Sequence, residues 1–143
     1  MKHVFLVSHG TFAKGLKSAI EMMTGPRNDL IAVGLEETMD INMFRAAFFT
    51  ELKKIDPADE ILLFCDLLGG SPFTNAMDII KEEGFFNRSI ILTGMNMPVV
   101  LHTYLNKDAY DLDFLAEEIK SIGPGTLLLF EIPPESEEPE EEL

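Results

Sequence analysis

Short apolar runs alternate with helical stripes of apolar residues along most of this chain. Apolar side chains in the stripes recur every three or four residues, which predicts helices. The runs predict strands at residues 4–7, 30–34, 61–66, 89–92 and 126–132. Because these runs are nearly continuous in apolar residues, the alternation favours a mainly parallel sheet with helices on both faces.

The helical stripes have recognisable starts. Ser71 is predicted as the N-cap of the third helix, with Pro72 at its first helical position, and Asp111 as the cap of the last helix. Residues 98–105 predict a short helix between these two. The first three stripes are Phe12, Leu16, Ala19, Ile20 and Met23; Ile41, Phe44, Phe48, Leu52 and Ile55; and Phe73, Met77 and Ile80.

Polar residues follow the first and third strands at the points where these strands end. His9 closes the first run and Asp66 closes the third. We expect a doubly wound, flavodoxin-like fold of strand order 2-1-3-4, with residues 126–132 as a C-terminal antiparallel strand. Ligands bind such sheets outside the strand carboxyl ends, where the strand order reverses. The predicted order therefore brings His9 and Asp66 together.

The residue types at these two strand ends suit phosphoryl transfer. A neutral imidazole nitrogen of His9 can attack phosphorus, while Asp66 orients the ring and stabilises its cationic form. Gly69, Gly70 and Ser71 are candidate phosphoryl-binding residues, since they lead into a helix start with free N–H groups. Each residue also has an ordinary explanation, as a surface histidine, a turn aspartate, a tight turn or a helix cap. Their occurrence in two loops at one sheet edge favours a site.

Composition restricts the remaining possibilities. The 143 residues suit one domain at 1–132 followed by an acidic, disordered tail at 133–143. The net charge is −14, and it remains −8 without the six glutamates after Pro134, which disfavours nucleic acid as a partner. The single cysteine, Cys65, lies in an apolar run and suggests a buried thiol in a cytoplasmic protein. No signal peptide, cofactor or metal is expected.

Three segments together resemble a known family. They are residues 7–10 (VSHG), 66–76 (DLLGGSPFTNA) and 93–98 (TGMNMP). In this order and spacing they are similar to the IIA domain of the mannose/fructose/sorbose class of the phosphoenolpyruvate-dependent sugar phosphotransferase system. The resemblance covers about residues 1–130, and its glycine-rich block is the most specific part.

The resemblance implies a phosphocarrier. His9 would receive a phosphoryl group on Nε2 from phospho-HPr and pass it to a IIB component, with the membrane components IIC and IID involved only indirectly. Asp66 would hold the Nδ1–H group of the ring, and Ser71 would lie close to the phosphoryl group. The family also implies a homodimer in which the strand at 126–132 is exchanged between subunits.

The sequence departs from the family in two places and leaves other functions open. Leu68 stands where some members have an aromatic residue, and the glutamate-rich tail stands where some have a linker to a fused IIB domain. The main alternative is the phosphotransfer subunit of a phosphoenolpyruvate-dependent dihydroxyacetone kinase. Ser8 replaces the arginine of a histidine phosphatase, which disfavours hydrolysis. A non-catalytic regulatory module of flavodoxin-like fold is a further alternative.

Overall fold

Four parallel strands form the central sheet of the computed structural model, which describes residues 1–135. The strands are β1 (Lys2–His9), β2 (Leu30–Leu35), β3 (Glu60–Cys65) and β4 (Ser89–Leu92). Their order is β2-β1-β3-β4, and every adjacent pair is parallel. The predicted fold class and the predicted order of these four strands are therefore confirmed.

Within residues 1–135, five α-helices cover the two faces of the sheet. They are α1 (Phe12–Thr24), α2 (Ile41–Leu52), α3 (Ser71–Glu82), α4 (Met97–Asn106) and α5 (Leu112–Ile122). One apolar core lies between the sheet and α1, α4 and α5, and a second core lies between the sheet and α2 and α3. Successive side chains of β1 enter opposite cores, as strand geometry requires. No helix within residues 1–135 is long and apolar enough to cross a bilayer.

The helix starts agree with the sequence at one cap and differ at another. The Asp111 carboxylate accepts a hydrogen bond from the Phe114 N–H at 2.8 Å, as predicted. The predicted cap of α3 is wrong by one residue, because Gly70 is the N-cap and Ser71 is already helical. The Gly70 backbone is extended, and its carbonyl accepts the Thr74 N–H, so the helix begins one position earlier.

The apolar stripe of α1 is rotated relative to the prediction. Leu16 and Ile20 are buried, but Ala13 joins them instead of Phe12 and Met23, which are 51% and 65% exposed. Residues 13, 16 and 20 follow the 3–4 spacing of one helix face, whereas Phe12 lies about 100° around the helix from Ala13. The aromatic side chain of Phe12 is consequently presented at the surface.

The predicted antiparallel strand at 126–132 is not formed. Gly123–Thr126 make a short 3₁₀ turn, and residues 127–132 lack strand pairing. A strand requires a neighbouring backbone for its hydrogen bonds, and the chain does not bring this segment onto either edge of its own sheet. The predicted tail at 133–143 lies mostly outside the described residues. The exposed apolar side chains are Leu127, Leu128, Leu129, Phe130 and Ile132, at 80–90%.

A buried ion pair fastens the amino end of β2 to the end of α4. The Lys107 ammonium lies 2.8 Å from the Asp29 carboxylate, and neither side chain is more than 2% exposed. The Tyr104 hydroxyl donates to the other Asp29 oxygen at 2.7 Å. Burial alone would raise the pKa of Asp29. The hydrogen bonds from Lys107 and Tyr104 lower it by more than burial raises it, so the pKa of Asp29 lies below its ordinary value.

Candidate active site

The carboxyl ends of β1 and β3 are adjacent, and their following helices leave toward opposite faces of the sheet. Val7 of β1 is in register with Cys65, the last residue of β3. His9 is the last residue of β1, and Asp66 follows β3 directly. The switch point of the sheet therefore joins two residues that are 57 positions apart in the sequence, as predicted.

Asp66 contacts His9 twice through one carboxylate oxygen. Oδ2 of Asp66 lies 2.8 Å from Nδ1 of the ring and accepts the His9 backbone N–H at 2.9 Å. An ionised carboxylate has no proton to give, so the ring must donate from Nδ1. That tautomer leaves Nε2 with a free lone pair. The His9 side chain is 49% exposed, so the ring is open to solvent.

Two local features direct the chain from His9 into α1. Gly10 has a φ of +56°, a left-handed conformation that favours glycine, and its N–H donates to the Leu35 carbonyl of β2 at 2.8 Å. The buried Ser8 hydroxyl accepts the Ala13 N–H at 2.7 Å and so satisfies a free donor in the first turn of α1. The turn that carries His9 is therefore held by both the sheet and the helix.

The glycine-rich loop after Asp66 packs directly against the imidazole. Gly69 turns the chain with a φ of +77°. A side chain on Gly70 would place its Cβ 2.8 Å from His9 Cε1 and 3.5 Å from Nε2, so the missing side chain makes room for the ring. The Gly70 N–H donates to the Leu67 carbonyl at 3.3 Å. Gly70 thus supports the ring, a role that its sequence position alone did not indicate.

Ser71 is exposed in the first turn of α3, next to the ring-supporting Gly70. Its hydroxyl has no hydrogen-bond partner among residues 1–135, so it can donate to a bound group. The first N–H groups of a helix also lack intrahelical acceptors and favour anions. This edge of the sheet can accordingly hold phosphoryl oxygens without a metal ion or a basic side chain from either loop.

Exposed apolar side chains follow both site loops. Phe12, Leu67 and Leu68 are 51%, 59% and 71% exposed. The apolar stripe predicted Phe12 in the core, and this prediction is wrong. Lys14 of α1 pairs with Glu36 at 3.1 Å, and Arg45 of α2 donates to the Asn75 side chain at 2.8 Å. Exposed apolar side chains therefore stand close in sequence to both members of the His9–Asp66 pair.

The other imidazole and thiol side chains are His3, His102 and Cys65, and each is either buried or bonded to a carboxylate. His3 is buried at the opposite end of β1, and its hydrogen bond to Asp59 is the main cause of the lowered pKa of that carboxyl group. His102 contacts Glu118 at 3.0 Å. Burial, with a smaller contribution from the Asp66 charge, raises the pKa of the Cys65 thiol to about 12. Cys65 is consequently the buried thiol that its apolar run predicted.

Known proteins resemble this chain along most of its length. Residues 3–120 match the family model described as "PTS system fructose IIA component". The chain is 29% identical over 123 residues to the PTS system fructose-specific EIIA component of Bacillus subtilis, covering 86% of this chain and 82% of that one. It is 23% identical over 105 residues to the PTS system mannose-specific EIIAB component of Escherichia coli, covering 73% of this chain and 32% of that longer protein.

The fold is also shared with a solved structure. The mannose/sorbose specific IIA subunit of the phosphotransferase system from Enterococcus faecalis has a TM-score of 0.79 at 22% identity. The alignment covers 94% of this chain and 98% of that subunit. At that identity, the likeness concerns the fold. Together with the family match over residues 3–120, these findings show that the chain belongs to the fructose/mannose-class IIA components of the sugar phosphotransferase system.

Proposed function

We propose that this protein is a phosphocarrier that accepts a phosphoryl group from phospho-HPr on Nε2 of His9 and passes it to a cognate IIB component. The observation that supports it most directly is the 2.8 Å contact between His9 Nδ1 and Asp66 Oδ2. This contact selects the tautomer that leaves Nε2 with a free lone pair. Family membership supplies the chemical class of the reaction, and the His9–Asp66 pair supplies a place for it.

The transfer forms one nitrogen–phosphorus bond and breaks another, and it needs no reactant beyond the two imidazole rings and the phosphoryl group. The lone pair of His9 Nε2 forms a bond to phosphorus while the bond between phosphorus and the donor's histidine nitrogen breaks, and that electron pair returns to the donor ring. The His9 ring keeps its Nδ1 proton and becomes cationic. Asp66 stabilises this cation, while the Ser71 hydroxyl and the amino end of α3 would bind the phosphoryl oxygens. The second transfer, to IIB, runs the same steps in reverse from His9.

The exposure of His9 suits a macromolecular donor. The His9 ring is half exposed, and the exposed apolar side chains of Phe12, Leu67 and Leu68 follow His9 and Asp66 closely in the sequence. A cavity of about 540 Å³ exists elsewhere, along β2, and His9 does not line it. An apolar surface around a reactive ring can exclude water once another protein covers it. The net charge of −14 further favours a donor with a basic face.

The direct test is reconstitution with phosphoenolpyruvate, enzyme I and HPr. The proposal predicts one acid-labile, base-stable phosphoryl group per chain, and its transfer to IIB. A protein that stays unlabelled under conditions in which HPr itself is phosphorylated would refute the proposal. Transfer to a dihydroxyacetone kinase instead of IIB would assign the protein to the alternative phosphotransfer system. We further propose a cytoplasmic location, with IIC and IID reached only through IIB.

Asp66→Asn is expected to slow phosphoryl acceptance by about 10²–10⁴-fold while the fold is retained. The amide can still hydrogen-bond the ring, but it carries no charge to stabilise the cationic product. Rapid-quench measurement of labelling by phospho-HPr gives the rate. Asp78→Asn is a matched control, since Asp78 is an exposed carboxylate on α3. Equal rates for Asp66→Asn and the parent protein would reduce Asp66 to a turn residue.

We also propose that the protein is a homodimer in which residues 126–132 pack against the partner subunit. Five large apolar side chains of this segment are 80–90% exposed in the single chain, which is costly in water. Sedimentation velocity at micromolar concentration is expected to show a dimer. Truncation after Ile122 should yield an unstable monomer or an aggregate, whereas truncation after Pro134 should change nothing. A monomeric full-length protein would contradict this proposal without affecting the His9 site.

A further inference from the structure

β2 contributes no side chain to the His9–Asp66 pair, yet it contacts both backbone polar groups of Gly10. The Gly10 N–H donates to the Leu35 carbonyl at 2.8 Å. The Gly10 carbonyl oxygen lies over the α-carbon of Gly34, where a Cβ would approach it closer than 3.0 Å, a separation that real Cβ atoms essentially never show. Gly10, the residue after His9, therefore packs against β2 at Gly34, which has no side chain.

The sheet register places this contact on the path from β1 to α1. Gly34 is in register with Ser8, whose hydroxyl accepts the Ala13 N–H in the first turn of α1. Two residues earlier, Ala32 packs into the core that contains α1, and alternate residues of a strand share one face. The missing side chain of Gly34 would consequently point toward the α1 face, where the chain turns after His9. A glycine inside a strand weakens it, and often marks the close approach of another backbone.

We propose that Gly34 is a positioning residue for His9. Because Gly34 has no side chain, the Gly10 carbonyl packs directly against β2. This contact fixes the position of Gly10 and thereby where the His9 ring meets Asp66. The peptide unit of Gly10 is joined directly to His9, whose backbone N–H and Nδ1 both lie within 2.9 Å of Asp66 Oδ2. A methyl group at position 34 would push the carbonyl away until ordinary contact of 3.4–4 Å is restored. Both hydrogen bonds to Asp66 would then lengthen.

The test compares Gly34→Ala with Gly15→Ala. Gly15 lies in α1, and a Cβ added there meets nothing within 4 Å, so its substitution is a matched control. The first measurement is ¹⁵N NMR of the His9 ring in the unphosphorylated protein, which reports whether Nδ1 carries a fixed proton. Gly15→Ala should keep the parental tautomer. Gly34→Ala should show mixed tautomers, as should Gly70→Ala, in which the methyl group displaces the ring directly.

The second measurement is the rate of labelling by phospho-HPr, which rests on the proposed function. We expect Gly34→Ala to be about 10²-fold slower, the size of effect that a displacement near 1 Å produces. A folded Gly34→Ala protein with the parental ring spectrum would overturn the inference. The NMR result does not depend on phosphorylation. If the parent protein accepts no phosphoryl group, the ring spectra still decide the role of Gly34.

A second variant covers the case in which Gly34→Ala does not fold. Gly10→Val leaves Gly34 intact. A β-branched residue strongly disfavours a φ of +56°, so the backbone must rotate and the Gly10 carbonyl must move away from Gly34. No atom lies within 4 Å of a Cβ added to Gly10, so the Cβ itself meets no obstacle, and the unfavourable φ is the main cause of the displacement. Mixed tautomers in Gly10→Val support the positioning role, and a parental spectrum overturns it.

Discussion

His9→Ala is expected to abolish phosphoryl acceptance while the protein keeps its fold. The imidazole Nε2 is the proposed nucleophile, and alanine offers no atom to replace it. The side chain is 49% exposed at the end of β1, so removing it leaves no cavity in either core. Intact-mass measurement after incubation with phosphoenolpyruvate, enzyme I and HPr should show no added phosphoryl group, with an unchanged circular dichroism spectrum.

His102→Ala is the matched control for this experiment. His102 is also partly exposed and also contacts a carboxylate, Glu118, at 3.0 Å, but it lies on α4 and away from the switch point. We expect this variant to accept a full phosphoryl group. Stoichiometric labelling of His9→Ala would contradict the assignment. Loss of label in His102→Ala with retention in His9→Ala would move the site to α4.

Asp29→Asn is expected to lower the free energy of unfolding by about 3–5 kcal/mol, because it leaves a buried charge without its partner. Lys107 is fully buried, and the Asp29 carboxylate is its closest counterion at 2.8 Å. Its other counterion is Asp108, whose side chain is 63% exposed and well solvated. Urea denaturation measures the change, and a loss below 1 kcal/mol would contradict the prediction.

The double variant Asp29→Asn, Lys107→Met separates the pair from the rest of the core. Removing both charges relieves the unpaired ammonium, so much of the lost stability should return. Asp29→Asn and the double variant should both still accept a phosphoryl group. The Asp29–Lys107 pair lies at the amino end of the sheet, whereas His9 lies at the carboxyl end.

The stability contributed by the Asp29–Lys107 pair should depend on pH in a definite direction. The pKa of Asp29 is lowered in the folded protein, so its contribution to the free energy of unfolding is fully present above the ordinary pKa of 3.8. The contribution is lost as the pH falls through the lower folded-state pKa, because the carboxylate must then be protonated. Unfolding measured below pH 3.8 should therefore show a steeper loss of stability in the parent protein than in Asp29→Asn.

The sequence alone was sufficient for the features that depend on local periodicity. Apolar runs and stripes located the four parallel strands and the helices that cover them, and Asp111 marked the start of α5. The pairing of His9 with Asp66 followed once the strand order was assumed, because residues at adjacent strand ends must meet. Sequence periodicity works here because each element buries one face against the same sheet.

Other features required the spatial relations between elements. The start of α3 at Ser71 and the exposure of Phe12 depend on how each helix is rotated against the sheet. The absence of a strand at 126–132 depends on which sheet edge the chain can reach. Lys107 is a residue type that normally lies at the surface, and it is buried only because Asp29, 78 positions earlier, meets it.

The chemistry of the site divides in the same way. The amino-acid sequence by itself determined which groups are available, namely an imidazole at His9, a carboxylate at Asp66 and the glycines and serine that follow it. Only the tertiary structure decided that Gly70 supports the ring and that Gly34, on a different strand, seats the turn after His9. A missing side chain has no periodicity of its own, and its effect exists only where another part of the chain fills the space.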